Sequence, residues 1–376
     1  MQTNRRAAGF LIGVLTLFST VCCSLSSSFA EQEALKLTIF PQGLNLVEQT
    51  KKIKLTRGVS QLIFGPVSKK IILDSVYPQA EGCEFLEQEY LSDSLISWRV
   101  RSWVEGESLL KVVYLTTGLT CRLNYQAKVN EEEGFMDLSG WANIENKSGM
   151  DFSQVYLTLK LEAHPQEVQD KSSSEVSSDV SPYFPPDFLS YSISYPVTLK
   201  DGEKKRILLF SYSHIPIKKK LLFDGDKYGE EVREELVFEN TVEGGVGDFL
   251  PSGGVYVYKV GSDGRLSFVG KDILNLVLPG EEGSIYLGRA RGVKGEKVQT
   301  SYRKLESSEK EYGYRIILYN FRDVPVRVEV VEHFYGEWQV LESQPPNYIR
   351  KDNSIVYELE IPAEARQEIQ YKARIR

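Results

Sequence analysis

Three histidines, His164, His214 and His333, are the only imidazoles in the chain, and they stand far apart. A zinc site draws on ligands at set spacings such as His-Glu-x-x-His or Cys-x-x-Cys, and neither spacing occurs. His333 follows Glu332 at the end of an alternating run, a place where a general base can sit. The valines before it and Phe334 after it fit a partly buried structural histidine better. Acidic neighbours are plentiful at Glu131-Glu132-Glu133, Glu230-Glu231, Glu234-Glu235 and Glu281-Glu282. A glycosidase sets two carboxylates about 5–10 Å apart across a cleft, whereas adjacent glutamates in turn-like sequence make a solvated charge run. Gly244-Gly245-Val246-Gly247 matches a phosphate-cradling loop in glycine count alone, because no lysine and hydroxyl pair follows it. No Gly-x-Ser-x-Gly elbow is present. No catalytic, cofactor-binding or metal-ligating residue is expected.

The remaining reactive groups are thiols, and their chemistry depends on the compartment. Arg5 and Arg6, the apolar run from Ala7 to Leu25, and Ser28-Phe29-Ala30 read as a secretory signal cleaved after Ala30. A retained anchor, or a lipoprotein modified at Cys22, is the weaker reading, since Val21 is a poor small-residue position. No other run reaches the roughly twenty apolar residues of a spanning helix, so no membrane span is expected after cleavage. Cys83 and Cys121 then remain. In an exported protein they can pair, and closing so long a loop is worth roughly 4 kcal/mol in the chain-entropy model. Two separate buried thiols behaving as small hydrophobes are the other reading.

Removing the two leader arginines takes the formal charge from −7 to −9. Phosphate contact needs a positive field, so nucleic acid is not an expected partner. The 21 tyrosines and 3 methionines, with many valines and isoleucines, suit a pleated, half-buried surface better than a helix.

The elements are accordingly strands. Leu119 to Glu162 reads as two alternating runs, a polar turn at Asn146-Lys147-Ser148-Gly149, and a third alternating run: a β-meander. Leu35–Phe40, Leu44–Leu55, Leu62–Phe64, Ile71–Tyr77 and Leu109–Leu115 are further strands bounded by turn chemistry. Glu84 to Val104 fits a short helix or a strand pair. Gly254–Val260 and Arg265–Gly270 flank the hairpin turn Gly261-Ser262-Asp263-Gly264. Residues 164–188 are polar, Ser-rich and Pro-containing, an exposed loop in which Tyr183 and Phe184 form a possible docking point. In the last eighty residues Val326, Val328 and Val330 face one way, and Ile369, Tyr371, Ala373 and Ile375 repeat the pattern. One apolar and one wet face is the mark of a sandwich.

The expected class is therefore all-β: multiple antiparallel β-sandwich modules, the last immunoglobulin- or fibronectin-like. The divisions read as a signal peptide over 1–30, an N-terminal β region over 31–115, a central β domain over 116–296 and a C-terminal sandwich over 297–376.

Several phrases in order carry a family resemblance: LTIFPQGLNLVEQ, GLTCRLNYQAKV with DLSGWANIENKSGMDF, YPVTLKDGEKKRILLF, GGVYVYKVGSDGRLSFVGKD, and VEVVEHFYGEWQVLE closing with VYELEIPAEARQEIQYKARIR. Over roughly residues 35–376 the chain resembles the bacterial domain of unknown function 4139. That resemblance implies an exported, mostly β protein ending in a sandwich, with no established catalytic residues to carry over. Larger relatives, the mucoidy-inhibitor-A-like proteins, add a coiled coil, for which no heptads are present here. Within these phrases Trp141 and Trp338 are expected as core aromatics, and Asn146 with Gly149 as a turn needing their backbone conformations. The functional expectation is a periplasmic or extracellular protein that binds an envelope protein or glycan without catalysis. The alternative is a secreted hydrolase using dispersed carboxylates.

Overall fold

The computed structural model describes residues 34–91, 94–162, 188–305 and 309–376. The leader, His164, Tyr183, Phe184 and the rest of the segment 163–187 lie outside the described residues. The first half contains β1 (Ala34–Ile39), β2 (Asn45–Leu55), β3 (Gly58–Phe64), β4 (Tyr77–Ala80), β5 (Cys83–Leu91), β6 (Leu95–Ser102), β7 (Gly106–Thr116), β8 (Leu119–Val129), β9 (Phe135–Asn146), β10 (Phe152–Glu162), β11 (Phe188–Ser192), β12 (Val197–Leu199) and β13 (Lys204–Pro216). The second contains β14 (Lys218–Phe223), the single-turn helix α1 (Gly225–Tyr228), β15 (Val232–Glu239), β16 (Gly253–Val260), β17 (Leu266–Leu274), β18 (Glu282–Arg289), β19 (Val293–Lys304), β20 (Lys310–Asn320), β21 (Val326–His333), β22 (Trp338–Gln344), β23 (Ile349–Lys351), β24 (Ser354–Ile361) and β25 (Arg366–Ile375). The protein is all-β.

Period-two patterning decides which side of each ribbon is dry. In β9, Met136, Leu138, Gly140, Ala142, Ile144 and Asn146 are buried and every residue between them is half-exposed. In β21 the buried set is Val326, Val328, Val330 and Glu332. Burying one such aliphatic side chain is worth about 1.5–3 kcal/mol, so a glutamate continuing the dry face is an exception that calls for a partner.

The strands form five sheets: β11-β10-β1-β2-β7-β4 with β12 also on β10; β13-β9-β8-β16-β17; β3-β6-β5; β18-β15-β14-β21-β24-β23; and β19-β20-β25-β22. The first three share one core, including Leu37, Val112, Tyr114, Trp98, Tyr125 and Ile144. The last two enclose another, including Phe223, Val328, Ile316, Tyr357 and Ile369. Strand β15 belongs to both, with Val232 in the second core and Leu236 and Phe238 in the first.

The two halves repeat one topology. The path β11-β10-β1-β2-β7 has its counterpart in β24-β21-β14-β15-β18, and β13-β9-β8 in β25-β20-β19. The single parallel pairing on each path also corresponds: β1 with β10, and β14 with β21. Each half carries an insertion before the last strand of its path. Between β2 and β7 lies the β3-β6-β5 sheet; between β15 and β18 lies the β16–β17 hairpin, whose β16 pairs in parallel with β8 of the first half.

Several expectations change. The stretch from Leu119 to Glu162 is not a meander: β8 and β9 form a hairpin, but β10 crosses to the facing sheet and lies beside β1. Ile71–Tyr77 is no strand; it is one bridge at Ile71, a 3-10 turn at Leu73–Ser75 and the start of β4. Glu84–Val104 resolves into the pair β5–β6. β19 is an element the sequence pattern did not suggest. β14, β15 and β18, from within 116–296, share a sheet with β21 and β24 from the last segment.

Candidate binding surface

The dry side of β8, β9 and β13 packs inward, which leaves their alternate residues on an open face. Antiparallel register places Arg122, Asn143 and Arg206 in one row across the three strands. The row on one side is Thr120, Glu145 and Lys204, and on the other Asn124, Trp141 and Leu208. Adjacent strands lie about 4.8 Å apart, so the two arginine backbones stand about 10 Å apart. Thr120, Arg122, Asn124, Asn143, Glu145, Lys204 and Arg206 line a shallow groove of about 480 Å³ that also includes Lys205.

The electrostatics of the groove run against the acidic chain. Its lining contains Arg122, Lys204, Lys205 and Arg206, and a single carboxylate, Glu145. Glu145 is engaged by Lys147 at 2.7 Å and Lys204 at 3.7 Å, and these partners hold its carboxyl below the usual range. Lys205 pairs with Glu203 at 3.1 Å. Neither Arg122 nor Arg206 has a carboxylate partner among the described residues. The Arg206 guanidinium lies over the Trp141 ring, 4.3 Å from its centroid, a cation–π contact that fixes the planar fork. Asn143 Nδ2 donates to the carbonyls of Arg122 and Trp141, both at 3.3 Å.

Trp141 is therefore not a core aromatic. The inward neighbour in β9 is Gly140, and Phe210 from β13 fills the space: a Cβ at Gly140 would stand 2.2 Å from that ring. A register shift between Leu208 and Phe210 turns Phe210 inward. Trp141 Nε1 is buried beneath Arg206 with no hydrogen-bond partner among the described residues. Asn146 is buried and donates to Met150 O at 2.9 Å and Leu199 O at 3.0 Å, while Gly149 follows at φ +77°. Trp338 is half-buried between Phe334, at 4.6 Å, and the Arg350 guanidinium, at 4.0 Å. Cys83 and Cys121 are both free thiols, so the pairing is not made. Burial pushes the Cys121 thiol up to about 12 and raises Cys83.

The histidines do not gather. His214 stacks on Phe135 at 3.9 Å, and His333 Nε2 meets Asp224 Oδ2 at 2.7 Å. Among the described residues no group of three His, Cys, Asp or Glu side chains is placed to hold a metal. The acidic runs are largely tied down: Glu133 by Lys219 and Lys259, Glu230 by Lys294, Glu231 by Tyr286 and Arg289, Glu234 by Lys219, and Glu235 by Arg233 and Ser284.

A second polar cluster runs from the core of the other sandwich, at Glu332, to its surface, at the half-exposed Asp226. Lys297, on the inward side of β19, meets Glu332 Oε2 at 2.7 Å and both oxygens of Asp226 at 2.8 Å. The Tyr371 hydroxyl donates to the same Glu332 oxygen, and Tyr314 places its ring 4.7 Å from the ammonium. Burial works against the charge on Lys297, but the carboxylates of Glu332 and Asp226 outweigh it and hold its pKa above the ordinary value. Burial raises the Glu332 carboxyl despite Lys297 and Tyr371.

Together these features define an all-β protein of two packed-sheet halves, with a basic, amide-lined sheet face. The chain belongs to the family described as Domain of unknown function (DUF4139), whose model matches residues 110–376. The match begins within β7, so the phrase LTIFPQGLNLVEQ lies ahead of it. No curated protein matches the chain.

Proposed function

We propose that this is an exported, non-enzymatic binding or scaffold protein of the cell envelope, and that the face around Arg122, Asn143 and Arg206 takes an acidic glycan. The row of two carboxylate-free arginines about an asparagine carries the reading. A guanidinium fork matches a carboxylate or a sulfate bidentately, and an amide satisfies neighbouring hydroxyls. The site is open and shallow, suited to an extended chain rather than an enclosed small molecule. The expected export signal and the ion pairs that hold Glu133, Glu230, Glu231, Glu234 and Glu235 support binding over hydrolysis.

The test is calorimetric titration of the mature protein with a polyuronate, beside a neutral glucan. Binding should be confined to the polyuronate, weaken as salt rises, and fall by at least about tenfold, or 1.4 kcal/mol, in Arg122→Ala/Arg206→Ala. Equal affinity for the neutral polymer, or a folded double variant that binds as the wild type does, overturns the proposal.

A further inference from the structure

The cluster around Lys297 holds the parts of an amide-forming reaction. Lys297 Nζ stands 2.8 Å from both Oδ1 and Oδ2 of Asp226, which brings the amine nitrogen within reach of the carboxyl carbon between them. Glu332 touches the same nitrogen from the opposite sheet, at 2.7 Å. Its side chain is wholly buried, and its Oε1 has no hydrogen-bond partner among the described residues. We propose that Lys297 and Asp226 join in an intramolecular isopeptide bond, with Glu332 as the proton-transfer catalyst.

Neighbouring groups hold the reactants in place. Asp224 caps α1 by accepting the Lys227 N–H at 3.1 Å, and His333 fixes the other Asp224 oxygen to β21. The backbone at Gly225 lies against the lysine stem: a Cβ there would meet Lys297 Cδ at 3.0 Å. Phe223 packs onto Gly295, two residues before the lysine on the inward side of β19, where no side chain could fit. Reacting atoms held at near-attack separations of about 3–3.5 Å gain much of the rate advantage of an intramolecular reaction.

The chemistry balances without any further reagent. Glu332 takes a proton from the Lys297 ammonium, and the freed lone pair attacks Asp226 Cγ. The C–N bond forms, one C–O bond breaks, and the departing oxygen leaves as water with two of the three ammonium protons. Glu332 ends in its starting state. An ammonium and a carboxylate become one neutral amide, which leaves no charged amine beside the buried Glu332 side chain. The product joins the α1 region, next to β14 of one sheet, to β19 of the other, a covalent staple across the second sandwich.

Intact-mass spectrometry of the mature, denatured protein tests this. The wild type should be lighter by one water, and tandem spectra of a tryptic digest should contain one branched peptide linking Asp226 and Lys297. Lys297→Arg and Glu332→Gln should keep the full mass. Wild type at full mass, with trypsin cutting after Lys297, overturns the proposal whatever the variants do. So does a lost water located as a succinimide at Asp224-Gly225 or Asp226-Lys227. A bond that still forms in Glu332→Gln removes the catalytic role assigned to Glu332.

Discussion

Asn146 and Asn320 make the same bonds at the same corner of two copies of one topology. Each Nδ2 donates to the carbonyl four residues on, Met150 O at 2.9 Å and Val324 O at 2.8 Å. Each Oδ1 accepts the N–H two residues on, from Ser148 at 3.1 Å and Arg322 at 3.0 Å. Each also reaches the end of a neighbouring strand, through Leu199 O or Ile361 O. These corners are where the chain leaves one sheet for the other, and a single amide side chain satisfies the backbone groups that the crossing strands leave open.

Removing either amide strands buried carbonyls, at about 1–3 kcal/mol apiece. Asn146→Ala and Asn320→Ala are each expected to cost about 2–4 kcal/mol on that scale. Urea unfolding measures it as a lower midpoint at unchanged slope. A loss within about 0.5 kcal/mol, as for an ordinary surface substitution, would show that the corners hold without them.

Glu48 gives the fold a pH dependence on the acid side. Lys111 at 2.7 Å and Lys36 at 2.8 Å hold its carboxyl below the usual range. A carboxyl depressed in the folded state contributes stability above its unfolded value, near 4.3, and that contribution is lost as pH falls through the folded value. Glu48→Gln should therefore be less stable than wild type at pH 7, and the two should converge as pH drops below about 4. Parallel stability curves across that range would contradict the assignment.

The thiols should be silent in the native state. The thiolate is the reactive form, and burial holds Cys121 near 12 and Cys83 above its ordinary value. In the chain from residue 31 onward, a disulfide-exchange reagent should titrate little of Cys83 and Cys121 while it is folded, and both after denaturation. A stoichiometry of none after denaturation would mean that the two are paired.

How far the sequence reads this structure depends on what each residue's neighbours reveal locally. The hairpin at Gly261–Gly264 was legible because its turn and both flanks are contiguous. Val326, Val328 and Val330 were legible because three valines on one side of a strand repeat every second residue. β19 was not: after Lys297 it is exposed on both sides, so no dry face marks it. The meander reading failed at β10 because alternation tells which side of a strand is buried and not which strand lies beside it. Trp141 was placed on the wrong side for a related reason, since the ring that fills its expected site is Phe210, turned inward by a register shift in another strand. The groove on the open face was invisible in one dimension. Arg122 and Arg206 are 84 positions apart, and only strand register brings them to one row.

The hairpin β16–β17 arises between two strands of the second half yet completes a sheet of the first. A polypeptide cut at the midpoint would therefore leave the leading piece with a raw margin along β8, and the trailing piece with a ribbon whose β16 edge has lost its partner. Neither copy of the duplicated plan is self-sufficient any longer, and whatever load one bears is shared by its twin.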